Sequence, residues 1–368
     1  MPEPLKNLYS KSFIDELTVV LFETISRFNK KEFIRKIFDK TWDEKELKQR
    51  MRHITLTIHQ FLPENFSKSS KIIIEITKNY IRKKGQGLSF LHMFLPEYIE
   101  LFGINNFTES VKAFEQVTKF TSAEFAVRPF IIKYPKEMMA QMERWSKSEN
   151  TFVRRLASEG CRPRLPWAIA LPAFKRNPAA ILPILENLKN DDAETVRKSV
   201  ANNINDISKD NPEIVLSIIK KWKGKNKNTD WILKHGARTL LKQGNEHVMG
   251  NFGLKQVTDI QISKFTLSDS SLVLGETLTF SFHLLNNETK DHKLRVDYAI
   301  YYMTSGGKQS KKVFRLTENN FLQQKTVIIT KKRRFIDFTT RKHHSGKHHI
   351  AIIVNGKELA KKSFLLTR

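Results

Sequence analysis

The sequence predicts an all-α region of repeated helix pairs followed by an all-β region, and three observations support this. Residues 153–160 are echoed 43 positions later by residues 196–203, and residues 231–240 give a third variant about one repeat further on. After Leu254, apolar residues alternate with period two. A helical repeat of about 40 residues is typical of stacked helix pairs, and period-two alternation is typical of strands. We therefore predict an all-α HEAT-like helical solenoid followed by an all-β immunoglobulin-like sandwich.

The predicted helical domain covers residues 1–254. Apolar residues recur there at three- and four-residue spacing, beginning with Phe13 and Leu17. Asn177-Pro178 and Asn211-Pro212 each place a capping side chain before a proline, which favours a helix start. In the second half of this domain we predict helices near 178–189, 192–208, 212–223 and 229–242.

The predicted β domain covers residues 255–368. Alternating runs occur at 257–262, 278–284 and 294–301, and Gly306-Gly307 and Asn355-Gly356 lie between such runs as hairpin turns. About seven short strands fit in this length, which is the pattern of an immunoglobulin-like sandwich without its cysteine pair. A small barrel is the alternative.

The charge of the chain favours a polyanionic partner. It carries 64 Lys+Arg against 38 Asp+Glu, a formal net charge of +26. Such an excess favours nucleic acid or an anionic membrane surface. No apolar run approaches the roughly 18–20 residues that span a bilayer, and the first residues show no secretory signal. The single cysteine, Cys161, excludes an intrachain disulfide and a thiolate metal cluster, and it fits a reducing cytoplasm.

The β domain has its own basic surface. Residues 255–368 hold 21 Lys+Arg and 9 Asp+Glu, and the longest cationic run is Lys331, Lys332, Arg333 and Arg334. This run is interpreted as a phosphate-contacting surface. The alternative is an edge strand that lysines protect from aggregation. Four histidines at 343, 344, 348 and 349 lack a nearby carboxylate to orient their rings, so we expect no metal site.

Three carboxylates form the candidate site. On the helix of residues 153–160 the apolar side chains share one stripe, and Glu159 lies off it. In the following repeat Asn202 aligns with Glu159, and Asp206 stands one turn beyond on the same face. Glu124 lies one element earlier, at a predicted helix start.

Two of these carboxylates also have a simpler interpretation. Glu124 fits a first-turn acid favoured by the helix dipole, and Glu159 fits an ordinary i,i+4 pair with Arg155. Aligned acids on a basic protein nevertheless repel phosphate, so they indicate a cationic substrate or transition state. Trp167 lies in a loop near Arg162 and Arg164, where it suits stacking on a base or sugar. The alternative is that Trp167 fills the core between repeats.

Segments 122–128, 154–167, 202–206 and 235–240, followed by Gly244-Asn245, resemble the DNA alkylation-repair glycosylases of the AlkC/AlkD superfamily. The helical part and the appended β module resemble AlkC more than AlkD. The resemblance implies a HEAT-like solenoid that wraps alkylated DNA. It also implies hydrolysis of the N-glycosidic bond of a cationic base, 3-methylcytosine or 3-methyladenine, without extrusion of the base.

The resemblance carries roles to individual residues. The catalytic carboxylates are Glu124, Glu159 and Asp206, and Trp167 contacts the deoxyribose. The residues implied to contact DNA are Arg155, Arg162, Arg164, His235 and Arg238, together with the run at 331–334. Trp222 and Trp231 are left open between a DNA channel and the core. The implied protein is a monomer that binds double-stranded DNA with alkylated bases in the bacterial cytoplasm, with no cofactor, metal or membrane.

Two other functions compete with this prediction. A non-catalytic nucleic-acid-binding scaffold explains the charge and the repeats but not the aligned acids. A membrane or protein-binding adaptor explains the charge, but the sequence lacks an exposed amphipathic helix with aromatic residues on one face. The sequence contains no Gly-rich Lys-Ser/Thr loop, which excludes a P-loop triphosphatase.

Overall fold

The computed structural model describes residues 3–338 and 341–368. It confirms the predicted fold class, because helices occupy the chain as far as Asn251 and strands occupy it from Ile260 to Thr367. Two compact units form within it. The first contains the described residues up to Asn211 together with Lys223–Gly236, and the second contains Pro212–Trp222 and the described residues from Ala237 to Arg368.

The first nine helices of the described chain all lie in the first unit. They are α1 (Lys11–Thr24), α2 (Lys30–Ile37), α3 (Leu47–His59), α4 (Phe66–Lys84), α5 (Phe94–Gly103), α6 (Phe107–Val117), α7 (Val127–Lys133), α8 (Pro135–Trp145) and α9 (Thr151–Gly160). The following helices are α10 (Pro172–Arg176), α11 (Leu182–Leu188), α12 (Glu194–Ile207), α13 (Pro212–Trp222), α14 (Lys227–Gly236), α15 (Arg238–Gln243) and α16 (Glu246–Asn251). Short 3₁₀ helices lie at Leu5–Leu8, Phe90–His92 and Ala179–Ile181.

Polar side chains fix where several helices begin. The side-chain oxygens of Ser10, Asn29, Asn65 and Asn150 accept backbone N–H bonds from the first turns of α1, α2, α4 and α9. Each satisfies a donor that has no partner within its helix. The local sequence therefore sets these helix starts without help from distant residues.

The repeated helices stack on one another in chain order. In the first unit α8 packs on α9, α9 on α12, and α12 on α14. The predicted stripe of α9 is buried as expected, and it comprises Val153, Leu156, Ala157 and Gly160. The two echoing sequence segments therefore form adjacent helices that bury equivalent faces, which is the arrangement expected of a helical repeat.

Two glycines allow these helices to approach closely. A Cβ atom on Gly160 would lie 2.7 Å from Cγ2 of Val127, and one on Gly236 would lie 2.7 Å from Cγ2 of Ile204. The chain leaves helical geometry directly after Gly236, where Ala237 has a ψ of 1°. The helix predicted at 229–242 is therefore two helices, α14 and α15. The helix predicted at 178–189 begins as a 3₁₀ turn and continues as α11.

The described β region contains eight strands, one more than predicted. They are β1 (Ile260–Leu267), β2 (Ser271–Val273), β3 (Thr277–Asn286), β4 (His292–Met303), β5 (Gln309–Phe321), β6 (Thr326–Arg334), β7 (Gly346–Val354) and β8 (Lys357–Thr367). They form a three-stranded sheet in the order β1-β3-β6 and a five-stranded sheet in the order β2-β8-β7-β4-β5. Only β2 in these sheets runs parallel to its neighbour, β8, and its three residues are too short to give an alternating pattern.

One apolar core joins the two sheets, which makes this region a sandwich rather than a barrel. Phe280 and Phe282 of β3 bury their rings with Val296 and Tyr298 of β4 and with Ile352 of β7. Both predicted hairpin turns are present. The Gly306-Gly307 turn joins β4 to β5, and the Asn355-Gly356 turn joins β7 to β8.

The second unit begins before the predicted boundary at 254/255. Its helical segment contacts the strands: Lys293 Nζ donates to the carbonyl of Phe252 at 3.1 Å, and Asn355 Nδ2 donates to that of Lys255 at 2.7 Å. Gly356 lies so close to Gly244 that a Cβ on Gly356 would stand 2.7 Å from Cα of Gly244. The change of periodicity at Leu254 therefore marks the switch from helix to strand, not the start of this compact unit.

Candidate active site

Glu124 lies in the turn before α7, and its carboxylate is held from two sides. The Ser122 hydroxyl and Arg155 Nη1 of α9 each donate to its Oε2 at 2.8 Å. The predicted helix start at this point is wrong, because α7 begins only at Val127. Glu124 is therefore not a first-turn acid, and its partner is Arg155, the residue that the simpler interpretation had paired with Glu159.

Glu159 of α9 and Asp206 of α12 are joined by one buried guanidinium. Arg162 Nη1 donates to Glu159 Oε1 at 2.5 Å, and Arg162 Nε donates to Asp206 Oδ2 at 2.9 Å. Asp206 Oδ1 accepts a further bond from Lys209 Nζ at 3.0 Å. The structure therefore brings together two carboxylates that are 47 positions apart in sequence.

The charges in this cluster balance. Two carboxylates face two cations, and all but Lys209 are buried. Burial acts to lower the pKa of Arg162, but Glu159 and Asp206 outweigh it, so that pKa lies above its ordinary value and the guanidinium stays charged. The sequence predicts that Arg162 holds a DNA phosphate; in the structure its exposure is only 7%, and its Nη1 and Nε atoms donate to the two acids.

Arg128, which sequence reasoning did not single out, supports the loop between α9 and α10. Its side chain is fully buried. Nη1 donates to the carbonyls of Gly160 at 3.0 Å and Arg162 at 2.8 Å, and Nε donates to the carbonyl of Ile169 at 2.5 Å. Burial lowers the pKa of Arg128 to about 10, so it remains protonated at neutral pH. An arginine inside an apolar sequence context was the only signal for this role.

Trp167 stands on that loop with its side chain in the open. Its exposure is 57%, which overturns the alternative that it fills the core. Its φ of +66° lies in the left-handed region, which aromatic residues rarely adopt. Lys48 Nζ of α3 donates to its carbonyl at 2.7 Å, and the Phe90 ring lies 5.9 Å from its own. The indole of Trp167 is therefore exposed on the same loop as Arg162.

The other predicted contact residues of the first unit are more dispersed. Arg164 is partly exposed and makes two bonds to Asp210, at 3.1 and 2.6 Å. His235 stacks on the exposed Trp231 with ring centroids 5.1 Å apart and planes 6° apart. Trp222, which was left open between a channel and the core, is buried in the second unit.

The basic run of the second unit lies on β6, an edge strand of the three-stranded sheet. Lys331 and Lys332 are exposed. Arg333 lies over the Phe314 ring at 4.7 Å, and Arg334 Nε donates to the carbonyl of Gly275 at 3.0 Å. The lysines therefore have freely accessible cationic groups, whereas the arginines are engaged with the sandwich. Arg238 is the first residue of α15, in the same unit.

The histidine-rich segment is part of the sandwich core. His343 and His348 are buried against Tyr302 and Phe335. A carboxylate does lie nearby, contrary to the sequence interpretation: His343 Nδ1 is 3.4 Å from Asp337 Oδ1. Within residues 3–338 and 341–368, no three His, Cys, Asp or Glu side chains converge as a metal site. No helix in the described part of the chain is both long and apolar enough to cross a membrane.

This geometry suits electrostatic stabilisation of positive charge. Glu159 and Asp206 are fixed by bonds to Arg162, so they need little reorganisation when charge develops near them. Their burial reduces the screening that water would provide. An exposed aromatic ring on the adjoining loop offers a flat surface with a negative face.

Comparisons with known proteins identify relatives of both parts of the chain. Residues 104–240 match the family described as "DNA alkylation repair enzyme", and residues 261–368 match the "Uncharacterised protein YhaZ, C-terminal Ig-like domain". The chain is 39% identical to the "Uncharacterized protein YhaZ" of Bacillus subtilis (strain 168), with 96% of both chains covered.

A solved structure agrees over the whole length. The Pseudomonas fluorescens alkylpurine DNA glycosylase AlkC, bound to DNA containing an abasic site analog, has a TM-score of 0.93 and 34% identity, and all of both chains is covered. Identity of this size over full length, in a chain that has both the helical repeat and the appended sandwich, is not explained by fold alone. The chain therefore belongs to the AlkC family of DNA alkylation repair glycosylases.

Proposed function

We propose that this protein is a DNA glycosylase that hydrolyses the N-glycosidic bond of cationic alkylated bases in double-stranded DNA. The bases are 3-methylcytosine and 3-methyladenine, and the damaged base leaves without being extruded into a pocket. The first step in base excision repair is the removal of such a base. Action as a monomer in the bacterial cytoplasm stays a prediction.

One observation carries the proposal. Glu159 and Asp206 come from adjacent repeats and share Arg162, and Arg162 lies on the loop that exposes Trp167. The full-length similarity to a glycosylase bound to DNA with an abasic site analog supports the same reaction, because an abasic site is what base release leaves behind. A scaffold would not require two buried acids at this position.

The reaction needs little acid catalysis. An N-methylated base carries a positive charge, so it leaves as a neutral molecule when the C1′–N bond breaks and the bonding electrons stay with the base. The sugar then gains oxocarbenium character, which nearby carboxylates stabilise. Water adds its oxygen to C1′ and releases a proton. Glu124, Glu159 and Asp206 are assigned to this stabilisation and to orienting the water.

Trp167 is assigned to the deoxyribose. The face of an indole attracts positive charge, and 57% of this residue is accessible. Arg155 and Arg164 remain candidates for contacts to flanking phosphates, together with His235 and Arg238. We assign Arg162 differently, to holding Glu159 and Asp206 in place inside the protein.

The test is a panel of duplexes that each contain one defined lesion. We expect release of 3-methylcytosine or 3-methyladenine as free base, and no release of uracil or 8-oxoguanine, because neutral bases are neither attracted by the carboxylates nor primed to leave. The assay runs in EDTA, with the liberated base identified by chromatography. Removal of neutral bases at a comparable rate, or loss of activity in EDTA, would contradict the mechanism. No release from any cationic lesion would favour the scaffold.

A further inference from the structure

The loop that carries Trp167 is fastened at two places. Buried Arg128 binds the carbonyls of Gly160, Arg162 and Ile169, on either side of the tryptophan. The tryptophan itself is held from α3, where Lys48 Nζ donates to its carbonyl at 2.7 Å. This contact joins residues 119 positions apart and does not depend on the loop's own turns.

The bond from Lys48 matters because the backbone of Trp167 lies in the left-handed region. A φ of +66° is unfavourable for an aromatic residue, so contacts from its surroundings must offset the cost. The indole is 57% exposed, and the Phe90 ring lies 5.9 Å away between centroids. A charged donor on this carbonyl favours one orientation of the following peptide plane and so restrains the ψ angle of Trp167.

Lys48 also lies near the residue that follows Glu124. Its Nζ lies 5.4 Å from the centroid of Phe125, the residue after Glu124. Two carboxylates of α5, Glu97 and Glu100, lie close enough that Lys48 acts to lower the pKa of both, against the larger effect of burial. Lys48 therefore binds the Trp167 carbonyl and lies near the Phe125 ring and two carboxyl groups of α5.

We propose that Lys48 is a positioning residue for base release: by binding the Trp167 carbonyl, it fixes the indole in the orientation that meets the deoxyribose. The role in catalysis rests on the proposed glycosylase function, but the orientation of the indole does not. The exposed position of Lys48 allows a different role, a direct bond to a DNA phosphate. That role would affect DNA affinity and not the indole.

The experiment compares Lys48→Met, Lys48→Arg and Lys112→Met in the full-length protein. Methionine matches the length of lysine without a donor, and arginine keeps the charged donor. Lys112 is an exposed residue of α6, so its variant controls for the lost charge. The protein is labelled with 5-fluorotryptophan, and the Trp167 fluorine resonance is assigned by its loss in Trp167→Phe. Single-turnover release from a 3-methylcytosine duplex and affinity for an abasic duplex are measured alongside.

We expect Lys48→Met to shift or broaden the Trp167 resonance while the other tryptophan resonances stay in place. Base release should fall about tenfold, the scale of one charge-assisted hydrogen bond, with the affinity change no larger than in Lys112→Met. Lys48→Arg should restore both the resonance and the rate. The fluorine measurement needs no catalysis, so it remains decisive for the indole even where the wild-type protein releases no base.

Three results would overturn the inference. An unchanged Trp167 resonance in Lys48→Met would show that the carbonyl bond does not position the ring. A changed resonance with an unchanged rate would remove Lys48 from base release. A fall in affinity and in its salt dependence, with the resonance unchanged, would assign Lys48 to a phosphate instead.

Discussion

Replacing Glu159 by glutamine removes one charge from the centre of the candidate site and little else. The amide oxygen of glutamine still accepts from Arg162 Nη1, which now lies 2.5 Å from Oε1 of Glu159. Arg162 keeps its bond to Asp206 at 2.9 Å, so the guanidinium does not become an isolated buried charge. We therefore expect the variant to fold, with a loss in the free energy of unfolding of about 1–2 kcal/mol.

The effect on the rate should be much larger than the effect on stability. One preorganised group that faces developing charge contributes about 10²–10³ to a rate, which is roughly 2.7–4 kcal/mol. Arg162 and Lys209 already offset the two acids of this cluster. We therefore expect the lower end of that range for Glu159→Gln, a fall of about 10²-fold. Affinity for DNA should hold or rise slightly, because a negative charge near phosphate is removed.

The assay is single-turnover release of base from a 3-methylcytosine duplex, with enzyme in excess so that product dissociation does not limit the rate. Affinity is measured on a duplex with an abasic analogue. Glu137→Gln is the matched control, because Glu137 is an exposed carboxylate of α8, the helix next to α9. This control should release base at the wild-type rate.

A Glu159→Gln protein that releases base at the rate of the wild type would remove Glu159 from the mechanism. Equal losses in Glu159→Gln and Glu137→Gln would show that overall charge, not the buried cluster, sets the rate. A melting temperature far below that of the wild type would mean that the carboxylate acts mainly in folding.

Three other predictions concern separate parts of the molecule. The double variant Lys331→Gln, Lys332→Gln should bind DNA more weakly, and the slope of log Kd against log salt concentration should fall by about two, because two fewer counterions are released. A slope equal to that of the wild type would show that these lysines are only solvated residues of an edge strand. Arg128→Met should lower the free energy of unfolding by at least about 3 kcal/mol in urea titrations, and Arg128→Lys should not restore it, since an ammonium group cannot span three carbonyls. Burial lowers the pKa of His92 to about 3, so between about pH 6.5 and pH 3 the unfolded chain binds a proton at this residue and the folded chain does not. The free energy of unfolding should therefore fall as the pH drops, by about 2 kcal/mol at pH 5. His92→Gln should remove that part of the pH dependence.

Most of the fold could be predicted because local periodicity records which face of each element is buried. The echo between residues 153–160 and 196–203 arises from two helices that bury equivalent stripes. The turns at Gly306-Gly307 and Asn355-Gly356 follow from backbone angles that glycine adopts without strain. β2 was not predicted because three residues are too few to show an alternating pattern. The break between α14 and α15 was not predicted either.

The candidate site was only partly predictable. The sequence by itself indicated Glu124, Glu159, Asp206 and Trp167 as the residues to consider, because acids are costly in a basic protein and because Trp167 closely follows two arginines in a loop. Only the tertiary structure decided their partners. An arginine binds a phosphate and a carboxylate by the same donors, so nothing local in Arg162 reveals that it lies between two acids. Its bond to Asp206 crosses 44 positions and that of Lys48 to Trp167 crosses 119, and such distances are set by how the helices stack.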